Sequence, residues 1–136
     1  MGKFTFAREE RLKKEKDIQE LFDKGSSFYL FPYKVFFMPN PDQTFPHHQV
    51  LISVSKRNFK RAVDRNLLKR RMREAYRLQK QAIPVSQPLR IGFIYSHKEI
   101  LLFPEMKSKL LRTFSKLKAG DDSTPRPSGQ GFKDPK

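Results

Sequence analysis

The spacing of apolar residues along the chain predicts three helices. The first is predicted over residues 8–24 and ends before Gly25, which is typical of a helix C-terminus. A longer helix is predicted over 60–82 and ends before Pro84, and a last one is predicted over 103–118. The apolar positions that carry the repeat are Leu12, Ile18, Leu21 and Phe22 in the first segment, and Met106, Leu110, Leu111, Phe114 and Leu117 in the last.

Three other segments read as extended. Residues 28–38 are rich in aromatics and predict one or two strands, with Pro32 indicating an edge position or a break. Residues 49–55 predict a strand whose imperfect alternation suggests burial on both faces, and residues 89–96 predict a further strand. The element order is then approximately α-β-β-α-β-α. This order predicts the α+β class, as a single-domain α/β sandwich whose sheet is covered mainly on one face.

The composition limits the kind of protein. We expect one domain over residues 1–118, followed by a disordered tail over 119–136, where Gly, Pro and polar residues dominate. The chain has no Cys, which excludes disulfides, thiolate zinc sites and cysteine nucleophiles. No apolar run approaches the roughly 18 residues of a membrane span, so we expect no membrane association and a cytoplasmic location.

The net charge is concentrated in one part of the chain. The whole sequence carries 29 Lys and Arg against 14 Asp and Glu, a net charge of +15. Residues 56–80 hold eleven of these basic side chains against only Asp64 and Glu74, a net charge of +9. A surface charged only for solubility would spread its cations, so this concentration predicts a patch that binds a polyanion.

The helix predicted over 60–82 has two opposed faces when it is drawn at about 100° per residue. The apolar face, which we expect to dock on the sheet, comprises Leu67, Leu68, Met72, Ala75, Leu78 and Ala82. The opposite face carries Arg65, Asn66, Lys69, Arg70, Arg73, Arg77 and Lys80. These cations repel one another and Asp64 and Glu74 relieve little of this, so a phosphate backbone is the favoured partner. The alternative is a charged face that only water contacts.

Residues suited to catalysis are not clustered in the sequence. The carboxylates between Glu9 and Asp23 alternate with basic residues, which predicts ion pairs on a helix surface. His47 and His48 are adjacent in a Pro-rich loop, a spacing that rarely allows both to bind one metal, and His97 follows a strand. We therefore expect no catalytic residue and no metal ligand in this chain.

The stretch SVSKRNFKRAVDRNLLKRRMREAYRL resembles the signature of the protein subunit of bacterial ribonuclease P. In that family a strand and a short basic loop precede a helix that reads approximately RNRIKRLIRE. The matching positions here are Arg65, Asn66, Lys69, Arg70, Arg73 and Glu74. The upstream stretch RLKKEKDIQELFDKG resembles the first helix of the family, and the resemblance covers about residues 8–118.

This resemblance implies a fold, partners and an activity. The family forms a compact α+β domain with a left-handed βαβ crossover, an exception to the usual right-handed connection. Its protein binds a catalytic RNA, here expected at one protein per RNA, and contacts the 5′ leader of precursor tRNA. The RNA, with Mg²⁺ held by the RNA and the substrate, removes the leader to form the mature tRNA 5′ end. The protein alone is accordingly expected to be inactive.

The resemblance also implies two sets of site residues. The set expected to contact RNA is Lys56, Arg57, Lys60, Arg61, Arg65, Asn66, Lys69, Arg70, Arg73 and Arg77. The set expected to line a leader-binding cleft between the first helix and the sheet is Ile18, Phe22, Tyr33 and Phe36. The aromatic rings of the second set would stack on unpaired bases, and the alternative is that they are ordinary core residues. For Lys56 and Arg57 the alternative is ordinary charge at a strand end.

The sequence departs from the family pattern at three places. Leu67 stands where the family has the second Arg of its Arg-Asn-Arg triplet, and Arg71 stands where an apolar residue is usual. This exchange suggests that the number of cations is kept while one anchoring point moves. The loop over 58–60 lacks the usual Gly, and Ile18 replaces a common aromatic.

Two other functions compete with the one that the resemblance implies. A generic RNA-binding or ribosome-associated protein would bind RNA tightly without any role in cleavage. A metal-dependent nuclease would cleave RNA unaided, through clustered carboxylates or paired histidines. Competition against bulk tRNA separates the first alternative, and a chelator-sensitive assay without added RNA subunit separates the second.

Overall fold

The computed structural model of this chain describes residues 10–117, which form a four-stranded sheet with three α-helices. The elements are α1 (Glu15–Lys24), β1 (Ser26–Leu30), β2 (Tyr33–Pro39), β3 (Gln49–Val54), α2 (Ala62–Gln79) with a 3-10 turn (Lys80–Ala82), β4 (Leu89–Tyr95) and α3 (Phe103–Phe114). The α+β class is confirmed, and the segment assigned to one or two strands forms two. The tail predicted over 119–136 lies outside the described residues.

The strands lie in the order β1-β2-β4-β3. β1 pairs antiparallel with β2, and β2 pairs antiparallel with β4. β3 pairs parallel with β4, and the chain between them forms α2, so these three elements are the βαβ unit of the fold. β1 and β3 are therefore the two edge strands of the sheet.

The main hydrophobic core lies between one face of the sheet and the helices α2 and α3. Alternate residues of β2 enter this core, because successive side chains of a strand point to opposite faces. Tyr33 is among them, and its hydroxyl donates a hydrogen bond of 2.9 Å to the carbonyl of Met106 in α3. The remaining fully buried large side chains here include Leu68, Met72, Tyr76, Leu89, Ile91, Phe93, Tyr95, Leu110 and Phe114.

A smaller core lies on the other face of the sheet, beneath α1. It contains Leu12, Leu21 and Phe36, and the fully buried Leu21 sits over Gly92 of β4. A Cβ atom at Gly92 would lie 3.2 Å from Cδ2 of Leu21, so α1 approaches the sheet where β4 lacks a side chain. The short α1 thus covers only part of this face, which agrees with a sheet covered mainly on one side.

The first helix is shorter than the sequence predicted. It begins at Glu15, and the preceding segment is extended along the outer edge of β3. The Leu12 amide donates a hydrogen bond of 2.9 Å to the Val50 carbonyl, and Arg11 pairs with Val50 as an isolated parallel bridge. The prediction of helix from residue 8 was wrong at the described residues 10–14, because pairing with an open strand edge satisfied this backbone instead.

Two predictions about burial were also wrong. β3 is not buried on both faces, because it is an edge strand and only Val50 and Val54 are fully buried in it. Leu111, assigned to the apolar face of the last helix, is 42% exposed, whereas Leu110 and Phe114 on the same helix are buried.

Candidate nucleic-acid interface

The buried face of α2 is rotated relative to the one that the apolar pattern predicted. Tyr76, which lies among the cations on the helical wheel, is only 1% exposed, while Leu78 is 36% exposed. The Tyr76 ring packs against Phe93 and Phe114, with ring centroids 6.2 Å away in each case. Burying this large ring outweighs burying Leu78, so the helix turns Tyr76 toward the sheet and places Arg65 beside the core.

Arg65 organises the loop that precedes α2. Its Nη1 atom donates hydrogen bonds to the carbonyls of Phe59 at 2.8 Å and Lys60 at 3.0 Å. These contacts hold the basic loop against the first turn of the helix, where Phe59 is itself buried. Arg65 therefore positions the cations of this loop as well as contributing its own charge.

Two cations of the predicted surface have acidic partners. Arg77 donates to Glu74 at 2.6 Å, and this bond lowers the pKa of the Glu74 carboxyl and raises that of the Arg77 guanidinium. Lys80 donates to both oxygens of Glu10. The expectation that Glu74 relieves little of the repulsion between the cations of this helix was wrong, since Glu74 neutralises the charge of Arg77 near the C-terminal end of α2.

Arg71 has a structural role that the sequence did not specify. Its Nη1 atom donates a hydrogen bond of 2.6 Å to the carbonyl of Leu101, just before α3. The guanidinium thus ties α2 to the loop that leads into α3. The suggestion that Arg71 substitutes for the family's Arg at the position of Leu67 does not hold, because its charge is directed toward α3.

The remaining predicted residues form what we call the α2 cationic surface. Its members are Lys56, Arg57, Lys60, Arg61, Asn66, Lys69, Arg70 and Arg73. Within the described part of the chain, none of these side chains makes a hydrogen bond or an ion pair, and all of them are at least partly exposed. Seven positive charges thus meet solvent without an acidic neighbour bonded to them.

Arg11 extends this surface onto the N-terminal segment. Burial lowers the pKa of Arg73, and the charges of Arg11 and Arg70 lower it further, so the three guanidinium groups lie near one another. An anion bound between them would relieve this repulsion. Sequence reasoning missed Arg11 because its proximity to α2 depends on the bridge to Val50.

The structure corrects the predicted aromatic cleft. Tyr33 is fully buried on the far side of the sheet, under α3, so its assignment to the cleft was wrong. Burial raises the pKa of its hydroxyl well above the usual range. Phe36 is on the correct face but is 3% exposed and lies under Phe22, with ring centroids 4.8 Å apart. Of the four predicted residues, only Ile18 and Phe22 are partly exposed.

A row of side chains that the sequence did not reveal crosses the strands on the face of the sheet where α1 packs. The strand register places Tyr29 opposite Lys34, Lys34 opposite Ile94, and Ile94 opposite Ser53. Tyr29 is 56% exposed and the other three are half-buried. We call these four residues the open row. It ends at β3, whose chain continues directly into the basic loop of the α2 cationic surface.

The acidic residues of α1 hold the helix on the sheet. Arg90 of β4 is 8% exposed and pairs with Asp17 at 3.5 Å and with Glu20 at 3.2 Å. Among the described residues, the expected ion pairing along the surface of this helix is present between Glu20 and Lys24, at 3.7 Å. These carboxylates therefore fix the position of α1 beside the open row.

Two structural features are absent from residues 10–117. No group of three His, Cys, Asp or Glu side chains there is arranged to hold a metal ion. In the same range, no helix is long and apolar enough to cross a membrane.

Comparison with known proteins identifies similar chains and structures. A family model described as Ribonuclease P matches residues 6–118. A ribonuclease P protein component from Porphyromonas gingivalis is 36% identical over 80 residues, covering 59% of this chain and 58% of that protein. One from Petrotoga mobilis is 29% identical over 122 residues, covering 85% and 97%. The solved structure of the RNase P protein from Thermotoga maritima matches with a TM-score of 0.68 and 28% identity, covering 80% and 98%.

The family match extends over the whole described fold. The chain spans 58% of the length of the Porphyromonas gingivalis relative, but almost all of the Petrotoga mobilis one. The family match includes the N-terminal segment, the sheet and all three helices. This chain belongs to the ribonuclease P protein family.

Proposed function

We propose that this chain is the protein component of a ribonuclease P ribonucleoprotein, which binds the catalytic RNA and assists removal of the 5′ leader from precursor tRNA. The observation that carries this proposal is the α2 cationic surface, where seven unpaired cations line one side of a helix and its loop. Such a surface favours a polyanion, because phosphate contacts release condensed counterions. The family match supports ribonuclease P RNA as that polyanion.

The residue types of this surface suit a folded RNA. Each arginine presents a planar fork that can donate two hydrogen bonds to one phosphate, and each lysine presents a compact charge. Asn66, exposed one helical turn before Arg70, can donate to a phosphate or sugar oxygen. The loop residues Lys56 and Arg57 continue the charge toward β3.

The leader is proposed to lie along the open row. Tyr29 and Phe22 offer aromatic faces on which unpaired bases stack, a contact worth about 1–3 kcal/mol per base. Lys34 supplies a positive charge within the row and Ser53 supplies a hydroxyl. Because the row ends beside the basic loop, one bound RNA strand can reach the α2 cationic surface without crossing the core.

We propose that the RNA, and not the protein, catalyses the hydrolysis that removes the leader. Mg²⁺ assists the hydrolysis in the family, but residues 10–117 do not fit a metal site, so we assign the ion to the RNA and the substrate. The protein then binds and orients the leader without donating or accepting a proton, and is inactive by itself. We propose one protein per RNA, in the cytoplasm where precursor tRNA is processed.

Reconstitution tests this function directly. Precursor tRNA is incubated with the candidate RNA at low Mg²⁺ and near-physiological salt, with and without the protein. Stimulated cleavage at the mature 5′ end supports the proposal. Tight RNA binding without stimulation would indicate a generic RNA-binding protein, and cleavage by RNA-free protein that a chelator stops would indicate a nuclease.

A further inference from the structure

We infer that the β1 edge of the sheet carries a second contact for RNA, which binds unpaired nucleotides. We call it the Phe31 patch, and it comprises Phe28, Phe31, His97, Lys109 and Lys116. Its rings lie where β1 and the β1–β2 turn meet the segment after β4, and its lysines come from α3 and the residues just after it, whereas the α2 cationic surface is formed by α2 and the loop before it. The inference does not depend on where a tRNA leader binds.

Phe31 is partly exposed to solvent in a turn that a neighbouring loop contacts. It lies between β1 and β2 and is 37% exposed, although most phenylalanines of this sheet are buried. The His97 ring meets it edge-on, with centroids 4.7 Å apart. The turn is joined to the segment after β4, because the Ser96 amide donates a hydrogen bond of 2.8 Å to the Pro32 carbonyl. The ring is therefore held outward by two connected loops.

Two lysines, one in α3 and one just after it, lie close to the aromatic rings of the patch. Nζ of Lys109 lies 5.9 Å from the centroid of Phe31, and Nζ of Lys116 lies 6.0 Å from that of Phe28. Neither lysine forms an ion pair within the described residues. A cation beside an exposed aromatic ring combines base stacking with phosphate attraction, the combination that single-stranded nucleic acids use.

The charge of this region favours RNA over a second copy of the chain. Residues 96–117 hold five Lys and Arg against Glu99 and Glu105, a net charge of +3. Leu102, just before α3, is 72% exposed and is the kind of residue that a protein partner would cover. A second copy, however, carries a net charge of +15, so self-association through a positive patch is opposed by repulsion.

Nuclear magnetic resonance of the histidine rings tests the inference on the full chain. The protein has three histidines, and His47 and His48 lie in the β2–β3 loop while His97 lies in the patch. An octaadenylate is titrated into the protein, and inorganic polyphosphate serves as a polyanion without bases. We expect octaadenylate to shift the His97 ring resonance, and polyphosphate to need a much higher concentration for a smaller shift.

Matched variants separate stacking from charge and from folding. Phe31→Leu keeps an apolar side chain but removes the ring, and should weaken the His97-detected affinity by about tenfold, as expected for the loss of one stacked base. Lys109→Gln should weaken it by a few fold, whereas Arg112→Gln, at an exposed cation on the same helix, should not. Thermal melting confirms that each variant is folded. Arg70→Ala should leave the His97 midpoint unchanged.

The inference is overturned by any of three results. One is a His97 resonance that octaadenylate does not shift. Another is the same midpoint in wild type and Phe31→Leu, which would mean that charge alone acts here. The third is a dimer in sedimentation that Leu102→Ser abolishes together with the shift, which would assign the patch to a second copy. Each result is independent of precursor tRNA cleavage, so it does not bear on the proposed function.

Discussion

Nζ of Lys80, at the end of α2, donates hydrogen bonds to both carboxylate oxygens of Glu10, at 2.8 and 2.9 Å. The Lys80 and Glu10 side chains are only 15% and 4% exposed, so the pair is largely removed from water. It ties the extended N-terminal segment to α2 across the edge of β3. Because Arg11 is the next residue, the same pair places its guanidinium near Arg73.

Removing one partner of this pair should destabilise the fold. Lys80→Ala leaves the Glu10 carboxylate buried without its cation, and we expect the free energy of unfolding to fall by about 3–5 kcal/mol. The double variant Glu10→Leu with Lys80→Met should recover much of that loss, because no charge remains buried. Urea denaturation measures both. A single variant as stable as wild type, or a double variant no better than the single one, would contradict this role.

Two tyrosines four residues apart should behave in opposite ways. Tyr29→Ala removes an exposed ring of the open row, so it should raise the KM for precursor tRNA with a leader several-fold and leave stability nearly unchanged. Tyr33→Ala removes a fully buried ring, and should lower the free energy of unfolding by about 3–5 kcal/mol. Kinetics with leader-bearing and leaderless substrates, together with urea denaturation, measure the difference. Equal effects of the two variants on KM would show that the open row is misplaced.

Stability should depend on pH through His48. Burial lowers the pKa of His48 below its usual 6.5, and a hydrogen bond with the backbone of Val85 opposes this only in part. Its Nδ1 atom accepts a 3.0 Å hydrogen bond from the Leu89 amide, so the fold requires the neutral ring. The unfolded chain binds this proton more readily, so the free energy of unfolding should be constant above about pH 7 and decline as the pH falls through 6.5.

The control for this pH dependence is His48→Asn, which keeps an acceptor oxygen near the position of Nδ1 but does not titrate. Its free energy of unfolding should decline less than that of wild type between pH 7.5 and about 5.5, above the range where most carboxylates titrate. Urea denaturation at several pH values measures this. Parallel curves for the two proteins would show that another group causes the decline.

The features that sequence predicted well are local ones. The helical period of α2, the strand–helix–strand order around it and the cations at Lys69, Arg70 and Arg73 all follow from spacing within one segment. The rotation of α2 did not follow, because Tyr76 is amphipathic and a helical wheel cannot show which large ring the sheet will accept. Its position is set by Phe93 and Phe114, which are distant in sequence.

The predicted leader-binding cleft and the open row show which features of the site depend on how residues alternate along a strand and how strands pair. Tyr33 and Phe36 are three residues apart in one strand, so their side chains must point to opposite faces and cannot share a cleft. That signal was present in the sequence. The open row was not predictable, because the alignment of Tyr29, Lys34 and Ile94 depends on how three strands pair.

The salt dependence of binding to ribonuclease P RNA tests whether the α2 cationic surface binds that RNA. The equilibrium constant is measured over a range of salt concentrations for wild type, Arg70→Ala and Arg112→Ala, the last being an exposed cation on α3 outside the α2 cationic surface. We expect Arg70→Ala to weaken binding and to lower the slope of log K against log salt by about one unit, and Arg112→Ala to leave the slope unchanged. An unchanged slope for Arg70→Ala, or an equal loss for both variants, would contradict the assignment of RNA binding to this surface.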